Sequence, residues 1–349
     1  MADKELEYLP ISHFAQERIM GVATGQFLGT NTVSKGDKNE FIDNTLPFLR
    51  GFYSNEDMLT VEKNGLLHVA PYKVLYMYQP DTLAYETWGQ VVLQHRFELD
   101  PHLEEFGAFA TERFRKDGKL NQNNAAPRVN NFVVTKDGTP HILMNCGNAF
   151  YEDQVKTNLV IDWQEFARFS SYGAQTLRQY NQMFYEDVAG GKPGTVPDFD
   201  HSLLANTLGV AIGVVARETD DPNSPYVATG RVRSDNVAVY QGMMSPILTF
   251  AAKNNAVNGR YEGSLKSFLN ADVKEELLQE VGLKHEEIVI EPLALTQDLG
   301  RGGKPQLFCV AKAQISLAEM NRRLTDTKGE YEGGVVQMKE NTAAMMNVI

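Results

Sequence analysis

The chain has 349 residues, 42% of them hydrophobic, which is enough apolar material for one large or two medium domains. Its net charge of −12 argues against a nucleic-acid binder that works through a broad basic face. A nucleotide is still an acceptable partner, because backbone amides and a divalent cation can hold its phosphates. The two cysteines, Cys146 and Cys309, lie in apolar contexts and predict reduced thiols in a cytoplasmic protein.

No stretch of the sequence approaches the roughly 18–20 apolar residues that a membrane span requires. The N-terminal sequence "MADKELEYLPISHF" also lacks the charged-then-apolar pattern of a signal peptide. We therefore expect a soluble, cytoplasmic protein with no membrane partner.

The first half of the chain, residues 1–190, predicts a mixed α/β region. Strands are predicted at 65–79 and 130–145, the second as a hairpin with "KDG" at its turn. Helices are predicted at 101–118 and 162–188 from the spacing of their apolar residues. This half carries no catalytic motif.

A linker is predicted at 189–200, where Gly and Pro are concentrated. After it come predicted strands at 203–217, 224–234 and 236–250, a helix at 272–283, and two strands joined through "GRGG". Three strands, an acidic helix and two more strands predict an α+β protein whose second domain covers residues 203–349.

The predicted acidic helix, "DVKEELLQEVGL", carries three carboxylates on one face. Asp272, Glu276 and Glu280 are spaced four apart, and like charges at that spacing cost about 0.2–0.5 kcal/mol per pair. Carboxylates one turn apart project in the same direction and can share a hard cation such as Mg²⁺ or Mn²⁺. The alternative is a solvated face, since the helix dipole favours Asp272 and Lys284 follows Glu280 at i+4.

This helix resembles the box of the Nudix hydrolases, G-x5-E-x7-R-E-U-x-E-E-x-G-U, where U is aliphatic. Five positions match when the two are aligned from the glycine end: Glu276, Leu277, Glu280, Gly282 and Leu283. An aliphatic strand precedes the helix and a hairpin follows it, as in the family. The resemblance covers about residues 203–340.

The box also departs from the family pattern. Glu275 stands where the family has the Arg that orients a helix carboxylate, and Gln279 stands where it has the first Glu of the pair. At strict spacing the upstream Glu falls on Ser267 and the first Gly on Tyr261.

The resemblance implies a C-terminal α/β/α sandwich with a mixed sheet. It also implies divalent-metal-dependent hydrolysis of a nucleoside diphosphate linked to another moiety, so the partner would be a nucleotide-type small molecule. Glu276 and Glu280 would be the catalytic groups and metal ligands, with Asp272 as a third ligand to Mg²⁺ or Mn²⁺.

Four arginines are candidates for binding substrate phosphates bidentately: Arg217, Arg231, Arg233 and Arg301. Ordinary surface charge is the alternative for the first three. Arg301 belongs to "GRGGK", residues 300–304, for which a hairpin turn is the alternative to a phosphate loop.

A second function is predicted from the departures at Glu275 and Gln279. The region would then be a catalytically inactive Nudix-like module that serves ligand binding, assembly or a structural role. The sequence after the last predicted strand leaves little room for the helix that closes the sandwich in the family. The N-terminal half or a second subunit would supply it, which predicts a homo-oligomer as one arrangement.

Overall fold

The computed structural model describes residues 46–63, 66–80, 83–135, 141–233, 244–254, 260–324 and 331–337. Over these ranges the chain is an α+β protein with two mixed sheets and a separate two-stranded hairpin. The helices described are α1 Leu46–Arg50, α2 Leu83–Thr87, α3 Glu104–Lys116, α4 Tyr151–Lys156, α5 Leu177–Asp187, α6 Leu265–Val281 and α7 Leu317–Arg323. None of the described helices is long and apolar enough to cross a membrane.

The strands fall into three groups. The hairpin consists of β1 Leu59–Lys63 and β2 Leu66–Ala70. The large sheet consists of β3 Tyr72–Met77, β7 Gly209–Arg217, β8 Tyr226–Arg233, β9 Met244–Pro246, β10 Leu248–Ala251, β12 Ile288–Asp298, β13 Lys304–Ser316 and β14 Tyr331–Gln337. The small sheet consists of β4 Gln90–Arg96, β5 Ala125–Thr135, β6 His141–Phe150 and β11 Tyr261–Ser264.

The large sheet is organised around one parallel pair. Its order is β14-β8-β7-β13-β12-β3, with β10 on β7 and β9 on β8. The central strands β7 and β13 run parallel, with Ile212 opposite Cys309, whereas β12 and β13 form an antiparallel hairpin. Parallel neighbours require a crossover connection, and α6 lies within the segment that makes it.

Both sheets contain strands from each side of the predicted linker. β3 belongs to the N-terminal half and pairs with β12 of the large sheet. β11, which directly precedes α6, pairs with β4 of the small sheet. The small sheet follows the order β11-β4-β6-β5. The two regions predicted from the sequence therefore exchange strands and do not form separate sheets.

The predicted linker is packed against the body of the protein. Val196 is buried, and the carbonyl of Pro197 accepts a hydrogen bond from Gln297 Nε2 at 2.9 Å. The amide of Ser54 donates to the carbonyl of Gly194 at 2.7 Å. Glycine and proline here shape a close-fitting connection.

Several predicted elements differ from those observed. The helix predicted at 162–188 is a short 3-10 helix, Gln164–Arg168, followed by α5, and Gly173 between them has a positive φ of 75°. The acidic helix begins seven residues earlier than predicted, at Leu265. Much of the strand predicted at 236–250 lies outside the described residues.

Candidate functional site

Helix α6 has defined ends that fix its position. Ser264 caps the N-terminus, where its Oγ accepts the amide of Ser267 at 3.1 Å. Gly282 ends the helix in the left-handed conformation, with a φ of 63° that favours glycine. The predicted apolar face is confirmed, because Val273, Leu277 and Val281 are all buried in the main core.

The three carboxylates of the acidic stripe, Asp272, Glu276 and Glu280, are not a solvated helix face. Asp272 is 1% exposed and Glu280 is 7% exposed. Glu276 is also largely buried, with 16% of its side chain accessible. Buried carboxylates must be neutralised or hydrogen-bonded, so the surroundings of the stripe decide what it does.

Lys253 supplies one neutralising charge. It lies two residues beyond the end of β10, and its backbone amide donates to Asp272 Oδ2 at 2.8 Å. Its Nζ lies 2.8 Å from Glu275 Oε2 and 3.5 Å from Glu276 Oε1. Partial burial acts to lower the pKa of Lys253, but these carboxylates outweigh it and the pKa is raised above its usual value. The ammonium therefore stays charged throughout the neutral range.

The two departures from the Nudix box lie in this same network. Gln279 Nε2 donates to Glu275 Oε1 at 3.0 Å, while Glu275 Oε2 accepts from Lys253. The hydrogen bond from Lys253 is the main reason that the pKa of Glu275 is lowered. Glu275 and Gln279, which replace the family's Arg and Glu, thus help to position the ammonium of Lys253 beside Glu276.

Arg231 supplies the second neutralising charge. Its side chain is 2% exposed, and its Nη1 lies 3.7 Å from Glu280 Oε2. The same nitrogen donates to the main-chain carbonyl of Glu280. A guanidinium from β8 is thereby fixed to the C-terminal turn of α6, where it also complements the helix dipole.

The acidic stripe does not fit a divalent-cation site. Within the described ranges, no group of three or more His, Cys, Asp or Glu side chains is arranged to hold a metal ion. Asp272 accepts an amide, Glu276 faces an ammonium and Glu280 faces a guanidinium, so each carboxylate already has a positively polarised neighbour within the protein. That these three residues share Mg²⁺ or Mn²⁺ therefore stays a prediction, which the neighbouring ammonium and guanidinium groups disfavour.

The predicted phosphate-binding arginines do not converge on α6. The guanidinium of Arg217 lies 5.5 Å from the ring centre of Tyr226, the residue opposite it in the β7–β8 ladder. Arg231 is five residues further along β8, about 16 Å at the rise of a strand. Because alternate strand residues face opposite sides of a sheet, Arg217 lies on the face away from Glu280. For Arg233 only the backbone position, at the end of β8, is described.

Arg301 lies at the turn that joins β12 to β13. Its Nε donates to Asp298 Oδ2 at 2.6 Å. Gly302 and Gly303 have φ values of 69° and 89°, as a tight turn requires. The hairpin turn, which was the alternative for this segment, is confirmed.

Lys304 follows the turn and is buried, with 1% of its surface exposed. Burial lowers its pKa well below the usual value, and the neighbouring charge of Arg301 lowers it further, although Asp298 opposes the shift. Asp298 is fully buried, and its Oδ1 has no hydrogen-bond partner in the described part of the chain. The cluster therefore places one carboxylate beside two cationic side chains, Arg301 and Lys304.

Arg178, on α5, fastens the same turn to the N-terminal half. Its guanidinium donates to Asp162 Oδ1 and Oδ2 at 2.7 and 2.8 Å and to the hydroxyl of Tyr53 at 2.9 Å. It also donates to the carbonyls of Leu299 and Gly300 at 2.6 and 2.8 Å. One side chain thus joins three segments that are far apart in sequence.

The sequence did not indicate the roles of Lys253 or Arg178. Lys253 precedes Asp272 by 19 residues, with no periodic relation to the acidic stripe. Arg178 lies in an amphipathic helix, where an arginine usually faces solvent. One usable signal was the "GRGGK" turn, which concentrates cations beside a single aspartate.

Comparisons with known proteins do not assign the chain to a family. No protein-family model matches the sequence, and no significantly similar curated protein was found.

Proposed function

We propose that the C-terminal region is a Nudix-like module that serves in binding or assembly and does not hydrolyse a diphosphate through a bound metal. The mixed sheet with a central parallel pair, the helix α6 on one face and the following β12–β13 hairpin support the fold assignment. The observation that carries the function is the pair of protein cations, Lys253 and Arg231, at the acidic stripe.

Electrostatics explains why these cations favour a non-catalytic role. A metal-dependent hydrolase needs carboxylates that accept a divalent cation, which then polarises the phosphate and activates water. An ammonium at 3.5 Å from Glu276 and a guanidinium at 3.7 Å from Glu280 already balance those charges. A divalent cation added there would meet like charges at short range, and it would have to displace them.

The placement of the arginines favours assembly over nucleotide binding. The resemblance implies a clamp on phosphates, whereas Arg217 lies on the opposite sheet face from Arg231 and Arg301 is bound at the β12–β13 turn. We therefore expect any nucleotide-type small molecule that binds to be a ligand and not a substrate. The exchange of β3 and β11 between the two halves supports a role as one structural unit.

The cysteines support a reducing compartment such as the cytoplasm. Cys146 and Cys309 are both free and buried. Burial raises the pKa of Cys146 to about 12, so the thiol stays protonated and unreactive at neutral pH.

The test is an activity measurement over a panel of nucleoside diphosphate derivatives, with Mg²⁺ or Mn²⁺, reading release of the nucleoside monophosphate. Glu280→Gln is the matched control, and Glu276→Gln is a second variant at a less deeply buried position. We expect release by the wild-type protein to equal that of both variants. Metal-dependent turnover that either variant abolishes, while its thermal unfolding is unchanged, would restore the hydrolase assignment.

A further inference from the structure

Three polar side chains of the N-terminal half, none of which belongs to the acidic stripe or the β12–β13 turn, are joined by hydrogen bonds. Asp100 Oδ1 lies 3.0 Å from His102 Nδ1, and the hydroxyl of Tyr172 lies 3.5 Å from His102 Nε2. The rings of His102 and Tyr172 meet edge to face, with 5.6 Å between their centres. A carboxylate, an imidazole and a hydroxyl in this order are the arrangement in which a base, oriented by a third group, activates a nucleophile.

The hydrogen bonds define the role of each group. An ionised carboxylate can only accept a hydrogen bond, so Nδ1 of His102 carries the proton that points to Asp100. In the neutral ring Nε2 is then an acceptor, and the proton in its contact with Tyr172 belongs to the phenol. His102 is therefore placed to take that proton when the oxygen of Tyr172 forms a new bond.

Local structure holds the three groups in place. Asp100 caps the 3-10 helix Pro101–Leu103, where its Oδ1 also accepts the amide of His102 at 2.8 Å. The last residue of that helix is fully buried, which fixes the turn against the core. The ring of Tyr172 stacks on Tyr180 of α5, with 5.5 Å between their centres. Two anchored segments, 70 residues apart in sequence, thus bring the imidazole and the phenol together.

Exposure and charge indicate which tyrosine reacts and with what kind of reagent. Tyr172 is 55% exposed and the side chain of His102 is 54% exposed, so a small molecule reaches both from solvent. Tyr180 is buried, and burial together with the charge of Asp100 raises its pKa, which keeps that phenol protonated. Residues 97–112 include several acidic residues and no lysine or arginine. An uncharged acyl donor is therefore favoured over an anionic phosphoryl donor.

We propose that Tyr172 is a nucleophilic tyrosine that takes an acyl group from an activated ester, with His102 as the general base and Asp100 as a positioning residue. A bond forms between Tyr172 Oη and the acyl carbon, while the phenolic proton moves to His102 Nε2. The bond between the acyl carbon and the leaving oxygen breaks, and the leaving group takes the proton back from the imidazolium. The products are an acyl ester of Tyr172 and the free alcohol, so no other reactant is needed.

The proposal is tested by treating the purified full chain with p-nitrophenyl acetate, following the release of p-nitrophenol and mapping the acetyl group by peptide mass spectrometry. Wild type is expected to carry the acetyl group on Tyr172. Tyr172→Phe keeps the stacked ring and should lose the burst of p-nitrophenol, because it lacks the nucleophile. His102→Gln should lower the rate of Tyr172 acetylation at least about tenfold. A burst that survives Tyr172→Phe, or an unchanged rate in His102→Gln, would overturn the proposal.

The pH profile of Tyr172 acetylation separates a base from a structural contact. In wild type the rate should level off once the imidazole is neutral, whereas in His102→Gln it should keep rising until the phenol ionises. Asp100→Asn keeps an oxygen to cap the 3-10 helix but removes the charge that favours the imidazolium. Its rate should therefore level off at a lower pH and at a lower value. A wild-type profile that coincides with that of His102→Gln would contradict the proposal.

Discussion

Two ionic clusters, one at the acidic stripe of α6 and one at the β12–β13 turn, handle buried charge in opposite ways. At the acidic stripe of α6, three carboxylates are in excess, and two cations from segments distant in sequence, Lys253 and Arg231, lie against them. At the β12–β13 turn, cations are in excess: Asp298 alone meets Arg301 and Lys304, while main-chain carbonyls accept from Arg178. A sequence pattern shows which side chains could bind a ligand. Tertiary packing decides whether those side chains are already paired with other groups of the protein.

The largest loss of stability is expected at Arg178. Replacing it with Met leaves Asp162 and two turn carbonyls without their donor, so the free energy of unfolding should fall by about 3–5 kcal/mol. Chemical denaturation measures this loss directly. Arg115→Met is the control, because Arg115 pairs with Glu152 at the surface, with 60% of its side chain exposed, and should cost less than about 1 kcal/mol. Equal losses in the two variants would show that Arg178 does not fasten the turn.

At the stripe we expect a somewhat smaller loss from Arg231→Met, about 3 kcal/mol, because a buried carboxylate loses its cation. Adding Glu280→Gln removes the orphaned charge and should recover about 1–2 kcal/mol of stability. A double-mutant cycle, measured by chemical denaturation, gives the coupling free energy between Arg231 and Glu280. Strict additivity of the two changes would mean that Arg231 and Glu280 do not neutralise each other.

Replacing Lys304 should change the free energy of unfolding in the opposite direction, toward greater stability. Because its folded-state pKa is depressed, the unfolded chain binds more protons than the folded chain between that pKa and about 10.4. Stability should therefore rise with pH through this window. Lys304→Met has similar length and no charge, so it should stabilise the protein at neutral pH by about 1–2 kcal/mol and flatten the pH dependence. Thermal unfolding from pH 6 to 10 measures both, and a destabilised variant would refute the account of this cluster.

Much of α6 was predictable because its determinants are local. The turn at Gly282 and the apolar repeat of Val273, Leu277 and Val281 depend only on sequence spacing. The large sheet was predictable as a set of strands. Its completion by β3 was not, since no local signal states which distant strand pairs with β12.

The state of the acidic stripe depended on contacts that sequence spacing does not encode. Glu275 and Gln279 marked the departure from the Nudix box, and the structure gives them a shared role in holding Lys253. The arrangement of the arginines depended on the same kind of contact, because strand ends that are near in sequence need not be neighbours in space. Among the predicted arginines whose guanidinium groups are described, only Arg231 lies at the acidic stripe.

Titration of the wild-type protein with Mn²⁺, followed by calorimetry and thermal unfolding, tests the central claim most directly. We propose that Lys253 and Arg231 occupy the place of a metal ion at the acidic stripe. We predict no saturable binding and no stabilisation in wild type, whereas Lys253→Met, which removes the ammonium from the carboxylates, should gain both. Saturable binding by wild type that Glu276→Gln abolishes would contradict the claim.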